Sequence, residues 1–232
     1  MPKVWPIQTN FTAGQLSARL HGRVDVNKYN NGLKTQKNAY SLPHGGVVRR
    51  GGFRHVAGVK TNSSKVRLVR FEFSITQAYI IEFGNQYIRF YKDNGQILTG
   101  GSPVEVATPF TEAQLFDLYF AQSADTLYIA HPSHSPRSLT RSSDINWTLA
   151  TLSFTSAPSD FVAGAGDYPR CVTFFEERLY WAGTNNKPQT IWASKSGDFL
   201  NMNQGTGLDD ESLSFTLATD DVNVIRWMKA SD

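Results

Sequence analysis

Two stretches, Leu127-Tyr-Ile-Ala-His-Pro-Ser-His-Ser-Pro-Arg-Ser-Leu-Thr-Arg-Ser142 and Leu179-Tyr-Trp-Ala-Gly-Thr-Asn-Asn-Lys-Pro-Gln-Thr-Ile-Trp-Ala-Ser194, align without a gap at a spacing of 52 residues. They match at Leu, Tyr, Ala, Pro and Ser, and the Ile129/Trp181 and Leu139/Ile191 positions are apolar in both. Tyr79-Ile-Ile-Glu-Phe83 fits the same frame 49 residues before the first of them. A preceding apolar run recurs with each, as Val69-Arg-Phe-Glu-Phe73, Leu118-Tyr-Phe-Ala121 and Cys171-Val-Thr-Phe-Phe175. Each unit therefore reads strand, tight turn, strand, loop, strand. A sheet of about four strands that is apolar on both faces must stack on its neighbours, and a period of about 50 residues built this way marks β-propeller blades. A β-sandwich whose hairpins happen to be similar is the other architecture the pattern allows.

Working outward, the chain from Lys65 onward consists of short β-branched and aromatic runs broken by Gly, Asn, Asp, Ser and Pro, an all-β signature. Strands are expected over Lys65–Ile75, Ala78–Phe83 and Gln86–Tyr91, and Asp93-Asn94-Gly95 tolerates the positive φ of a hairpin turn. Val222-Asn-Val-Ile-Arg-Trp-Met228 lies 52 residues after the Arg170–Glu176 run, so it is expected to open a further unit that is cut in half at Asp232. A longer product, or neighbouring chains, is then expected to complete it, because an unpaired apolar strand invites aggregation.

The first 62 residues differ. Asp25–Tyr40 carries Val26, Tyr29 and Leu33 at helical spacing, which predicts a short helix that Asn30-Asn31-Gly32 weakens. Leu42-Pro-His-Gly-Gly46 reads as a turn before Val47-Val-Arg-Arg50, so a hairpin or arm is expected, and Phe53–Val59 has strand composition. The expected fold class is mainly β: propeller-like blades over residues 63–232, incomplete at the C-terminus, after a basic arm or platform segment over residues 1–62 that contains a short helix.

Composition narrows the function. The 232 residues are 40% apolar and 19% charged, which excludes disorder, and the single Cys171 excludes a disulfide scaffold. Apolar runs such as Ala78–Ile81 are far shorter than the roughly 20 residues of a membrane helix, and the first residues lack the apolar core of a signal peptide, so the chain reads as soluble with no membrane insertion. Residues 1–70 hold 13 Lys/Arg against Asp25 alone, while residues 71–232 hold 10 against 19 acids. So lopsided a charge is explained by contact between basic and acidic surfaces of neighbouring subunits, by nucleic-acid contact, or by two solvated faces of opposite sign.

Catalytic, cofactor and metal residues are not assigned. His131-Pro-Ser-His134 has a ligand-compatible spacing but lies in a Ser/Pro loop and is read as exposed turn residues. Asp209-Asp-Glu211 lacks the alternating oxygens of a calcium loop and is read as a solvated turn. Gly45-Gly46 and Gly51-Gly52 around Arg49-Arg50 match neither a P-loop nor a dinucleotide fingerprint. Cys171 sits in a strand, where a thiol behaves as a small hydrophobe. The aromatic residues Tyr128, Tyr180, Trp181, Trp192 and Trp227 recur in phase with the repeats and are assigned to the core, with sugar stacking as the alternative.

The N-terminal string Asn10-Phe-Thr-Ala-Gly-Gln-Leu-Ser-Ala-Arg-Leu-His-Gly-Arg-Val-Asp25, with Lys28-Tyr-Asn-Asn-Gly-Leu33 and Leu42-Pro-His-Gly-Gly-Val-Val-Arg-Arg-Gly-Gly52, resembles the opening of the tail nozzle proteins of short-tailed bacteriophages, the tail tubular protein B family. Ser135-Pro-Arg-Ser-Leu-Thr-Arg141, Arg178-Leu-Tyr-Trp-Ala-Gly183 and Ile191-Trp-Ala-Ser-Lys-Ser-Gly-Asp-Phe199 look like the same family's propeller region, and Gln15, Ala18 and Gly52 depart from its usual pattern. The resemblance implies a non-enzymatic virion protein of the tail, assembled in the bacterial host cytoplasm. It implies a hexamer below the portal and the head-to-tail adaptor, in contact with tail fibres or spikes. It implies a channel through which double-stranded DNA passes without sequence-specific binding during genome ejection. Arg19, Arg23, Lys28, Tyr29, Arg49, Arg50 and Arg54 are the residues expected at subunit and adaptor interfaces. A host-adsorption propeller that binds or hydrolyses surface glycans is the competing class.

Overall fold

The computed structural model describes residues 7–161, 166–219, 221 and 223–230. The chain divides into a unit ending at His55 and a second beginning at Val56. The fold is mainly β, built from several sheets, none of which closes on itself among the described residues.

In the first unit, β1 (Gly14–Gln15) pairs in parallel with β2 (Gly32–Leu33), and β3 (Ala39–Ser41) pairs antiparallel with β4 (Val47–Arg49) around the Leu42–Gly46 turn. The expected hairpin is present. The expected helix is not: the segment holds only 3-10 turns at Ala18–Leu20 and Tyr29–Asn31. Asn30-Asn31-Gly32 is poor helix sequence, and Gly32 instead lets β2 approach Leu16, whose Cγ would lie 2.4 Å from any added Cβ. Phe53–Val59 forms no strand either, and no described strand pairs with it.

Among the described residues the second unit holds three large antiparallel sheets and one two-stranded hairpin. The first comprises β5 (Arg67–Ser74), β6 (Gln77–Gly84) and β7 (Tyr87–Lys92) in a meander. The short β8 (Gly95–Gln96), β9 (Leu98–Thr99) and β10 (Ser102–Pro103) lead to β11 (Glu105–Ala107), which returns to pair with β7. The second sheet runs β12 (Tyr119–Ser123), β13 (Thr126–His131), β14 (His134–Ser143) and β15 (Asn146–Thr151) in spatial order. The third repeats that order with β16 (Cys171–Phe175), β17 (Arg178–Ala182), β18 (Thr190–Ala193) and β19 (Leu213–Thr216). The three expected strands before residue 92 are thus present, and Asp93 and Asn94 both take the positive φ their turn was expected to need.

The aligned repeats occupy equivalent strands, β6, β13 and β17, and their side chains alternate in step. One face of the first sheet (Phe71, Ile81, Phe83, Ile88, Phe90) packs on Leu127, Ile129, Leu139 and Trp147 of the second. The opposite face of the second (Tyr128, Ala130, with Tyr119 and Ala121) packs on Val172, Leu179, Trp181 and Trp192 of the third. Both contacts therefore join the same pair of faces, a forward face bearing the repeat Tyr and a backward face bearing the residue before it. Tyr79 and Tyr128 are buried in this way, whereas Tyr180 lies on the forward face of the third sheet and is only half-buried.

Polar groups bolt the first two sheets together. Tyr79 donates its hydroxyl hydrogen to Asp144 and accepts from Arg141 Nε at 3.0 Å, while Lys92 Nζ reaches the other Asp144 oxygen at 2.9 Å. Arg67 donates to the carbonyls of Leu115 and Leu118 at 2.9 and 2.7 Å. The Tyr79 hydrogen bond and both cations hold the Asp144 carboxyl below the usual carboxylate range.

The C-terminal expectation needs correction. Val222 lies outside the described residues, but residues 223–228 form no strand; the Ile225 amide donates to the Pro188 carbonyl at 2.9 Å instead. Gly183, at φ +69°, admits this segment, because a Cβ there would meet the Ile225 carbonyl at 2.7 Å. Trp227, assigned to the core, is 69% exposed.

Candidate functional site

The seven sequence-selected residues all lie in the first unit, where local turns set their positions. Ser17 caps the Ala18–Leu20 turn by accepting the Arg19 amide, so Arg19 projects from a 3-10 turn at the surface. Tyr29 Oη accepts the Gly22 N–H at 3.2 Å, which ties down the intervening loop carrying Arg23 and Lys28. Arg23 pairs with Asp25 at 2.6 Å, and this hydrogen bond lowers the Asp25 carboxyl and raises the guanidinium. Asp25 is the first unit's only acid and is taken up by Arg23, so Arg19, Lys28, Arg49, Arg50 and Arg54 stand exposed with no second carboxylate in their own unit to pair with.

Arg49 ends β4 opposite Ala39, and the Arg50 amide closes the hairpin on the Asn38 carbonyl at 2.9 Å. The Arg50 guanidinium lies 4.6 Å from the centroid of the exposed Phe53 ring, a cation–π contact. The structure thus gathers Arg19, Arg23, Lys28 and Tyr29 on one loop system and Arg49, Arg50 and Arg54 at the hairpin. No hydrogen bond or ion pair between described side chains links the two groups. A polar depression of about 750 Å³, lined by Gln8, Asn10, His21, Tyr29, Asn31 and Lys34, lies beside the first group.

Sequence reading missed a second cluster, on the backward face of the first sheet. Glu82 is 2% exposed, stands opposite Arg89 in the ladder, and accepts the hydroxyls of Tyr87 (2.6 Å) and Tyr91. Arg89 in turn meets Glu105 at 3.0 Å, and Glu105 meets Lys60 at 2.6 Å. Burial and the neighbouring carboxylate push Tyr87 up to about 12. The segment containing Val56, Val59 and Val66 lies along this face and leaves a groove of about 460 Å³ floored by Leu68, Ala78 and Ile80.

His131 and His134 are not the exposed turn residues expected. His131 is buried, its Nδ1 accepting the Ser133 N–H at 3.0 Å, and His134 shares its Nε2 with Gln114 Oε1 at 2.9 Å. Burial, then the adjacent His134, lowers His131 to about 4. Among the described residues no three His, Cys, Asp or Glu side chains gather into a metal-sized group. Burial pushes the Cys171 thiol up to about 12, so it is protonated and inert at neutral pH. Asp209–Glu211 is a turn whose Glu211 carboxylate accepts the Gly207 and Leu208 amides at 2.6 and 2.9 Å. No helix among the described residues is long and apolar enough to cross a membrane.

No protein-family model matches the chain, and neither does any curated protein.

Proposed function

We propose that the chain is a structural subunit of a short-tailed phage tail nozzle, working by shape and assembly, and that its three sheets are successive propeller blades. The observation that carries this is the N-terminal string Asn10–Asp25 with its sequels to Gly52, whose cations outnumber the unit's single acid, Asp25, which Arg23 occupies. Such a surface is stabilised by an acidic neighbour, and residues 71–232 carry nine more acids than bases. In this reading the basic unit docks on the adaptor and on neighbouring subunits of a hexameric ring. Duplex DNA crosses the ring without base recognition, and the blades stand at the periphery.

The blade reading draws support from sheet order: the second and third sheets are four-stranded meanders, the first is a meander over its first three strands, and both sheet contacts use the same pair of faces. Native mass measurement and negative-stain imaging test the assignment, on the chain alone and mixed with portal–adaptor complexes from the same source. A ring seated below the adaptor is expected. A monomer that ignores the adaptor but binds soluble glycans would overturn the nozzle reading in favour of host adsorption.

A further inference from the structure

The groove on the backward face of the first sheet has an apolar floor of Leu68, Ala78 and Ile80 and a wall made by the segment carrying Val56, Val59 and Val66. That segment is pinned at two points. Lys60 donates its amide to Tyr87 Oη at 3.4 Å and its Nζ to Glu105 at 2.6 Å, and the Lys65 amide donates to Glu112 Oε1 at 2.9 Å. The width of the groove is thus set by the fold, and its volume of about 460 Å³ lies in the range of small-molecule sites.

Glu82 and Tyr91 form the polar end of the groove. Gly84 permits this arrangement, because it stands opposite Tyr87 in the ladder and a Cβ there would meet Tyr87 Cε1 at 2.2 Å. The Tyr87 and Tyr91 hydroxyls hold the Glu82 carboxylate, and Gln96 steadies Tyr91 by donating to its Oη at 3.1 Å. Hydroxyls satisfy lone pairs without supplying charge, and each carboxylate oxygen keeps room for a second donor. Of the charged residues lining the groove, Arg70 pairs with Glu72 and Lys92 with Asp144. Glu82 and Asp93 enter no ion pair among the described residues. Arg89, beside Glu82 in the ladder, turns its Nε to Glu105 instead. A buried carboxylate without a cation is destabilising, and an apolar residue at position 82 would pack without that cost.

We infer that this groove binds a small amphiphilic cation, an organic ammonium bearing an aliphatic chain or an aromatic ring. The ammonium donates to the Glu82 carboxylate, and the apolar part lies on Leu68, Ala78 and Ile80 against the valine wall. Charge selects this class. Both lining charges without an ion-pair partner are acidic, so a carboxylate or phosphate ligand would meet Glu82 as a like charge. A neutral alcohol would cover the apolar floor but leave the carboxylate uncompensated. The chain as a whole has a net charge of +3, so affinity for an ammonium comes from the groove and not from general attraction. The inference stands apart from the tail reading.

The test titrates the full chain with n-octylammonium, 1-octanol and octanoate by isothermal titration calorimetry at neutral pH. Saturable binding of octylammonium at one site is expected, with octanol about tenfold weaker for want of a charge-assisted hydrogen bond, and octanoate weaker still. Glu82→Gln, which keeps the side chain's size, is expected to bind octylammonium no better than octanol. Ala78 is exposed on the groove floor, so Ala78→Phe fills the groove without entering the core. That variant is expected to keep the far-ultraviolet spectrum of the parent and to bind neither ligand, and it decides the matter even where Glu82→Gln fails to fold. Absence of saturable octylammonium binding, octanol or octanoate binding as tightly, an unchanged preference in folded Glu82→Gln, or retained binding by Ala78→Phe would each overturn the inference. Adaptor docking is scored separately, so the two readings fail independently.

Discussion

Glu82 shows how much one residue can hide. In Ile81-Glu82-Phe83 it alternates like a solvent-facing residue, yet it is buried and receives two tyrosine hydroxyls from the next strand. A hydrogen bond to a charged group contributes about 2 kcal/mol, so Tyr87→Phe should lower unfolding free energy by about that amount in urea titrations. Tyr87 also has a pH signature. Its folded value of about 12 lies above the unfolded value of about 10, so the folded state holds the proton longer and stability falls as pH rises between them. The phenylalanine variant should flatten that alkaline loss, and an unchanged slope would refute the assignment. His131 acts at the other end of the scale. Lowered to about 4 by burial, it resists charging, so stability falls as pH drops from about 6.5 through 4. His131→Gln should reduce this acid loss by about 2 kcal/mol in chemical denaturation at pH 4 against pH 7.

Elements were legible where a local pattern decides them. Alternation and turn residues mark β5 to β7 in the sequence, and the 52-residue spacing matches β13 to β17. Misreadings occurred where composition mimicked a pattern that pairing did not complete. Tyr29 and Leu33 suggested a helix, but Asn30-Asn31-Gly32 gives the backbone no reason to continue one, and β2 pairs with β1 instead. Phe53–Val59 has strand residues without a strand beside it. Of the candidate sites, the charge of the first unit could be counted from the sequence. The Glu82 cluster could not, since it depends on which residues face one another across two ladders. One turn carries a visible cost: Glu176 and Glu177, between β16 and β17, take φ of 45° and 58°. Non-glycine residues in this region cost about 1–2 kcal/mol each. Glu176→Asn with Glu177→Gly should therefore raise stability by about 1 kcal/mol, seen as a higher melting temperature in calorimetry.

At the scale of the whole molecule, the opposed charges of the two chain segments govern the expected assembly. If the proposed adaptor docking is correct, reversing Arg49, Arg50 and Arg54 to Glu should abolish it at low salt, where charge attraction is least screened. Equal docking by the variant and the parent in light scattering would refute a role for these cations. The arrangement of cores has a different consequence. The second sheet lends its backward face to one core and its forward face to the other, while the first and third sheets each serve only one. Opening of either outer sheet can thus occur alone, but opening of the middle sheet exposes both cores at once. Amide hydrogen exchange should rank the molecule accordingly, with the exposed edge strand β19 exchanging first and β13, flanked by β12 and β14, exchanging only when the whole second unit unfolds. The middle sheet is the keystone of a cooperative unit, and the outer two are its fraying ends.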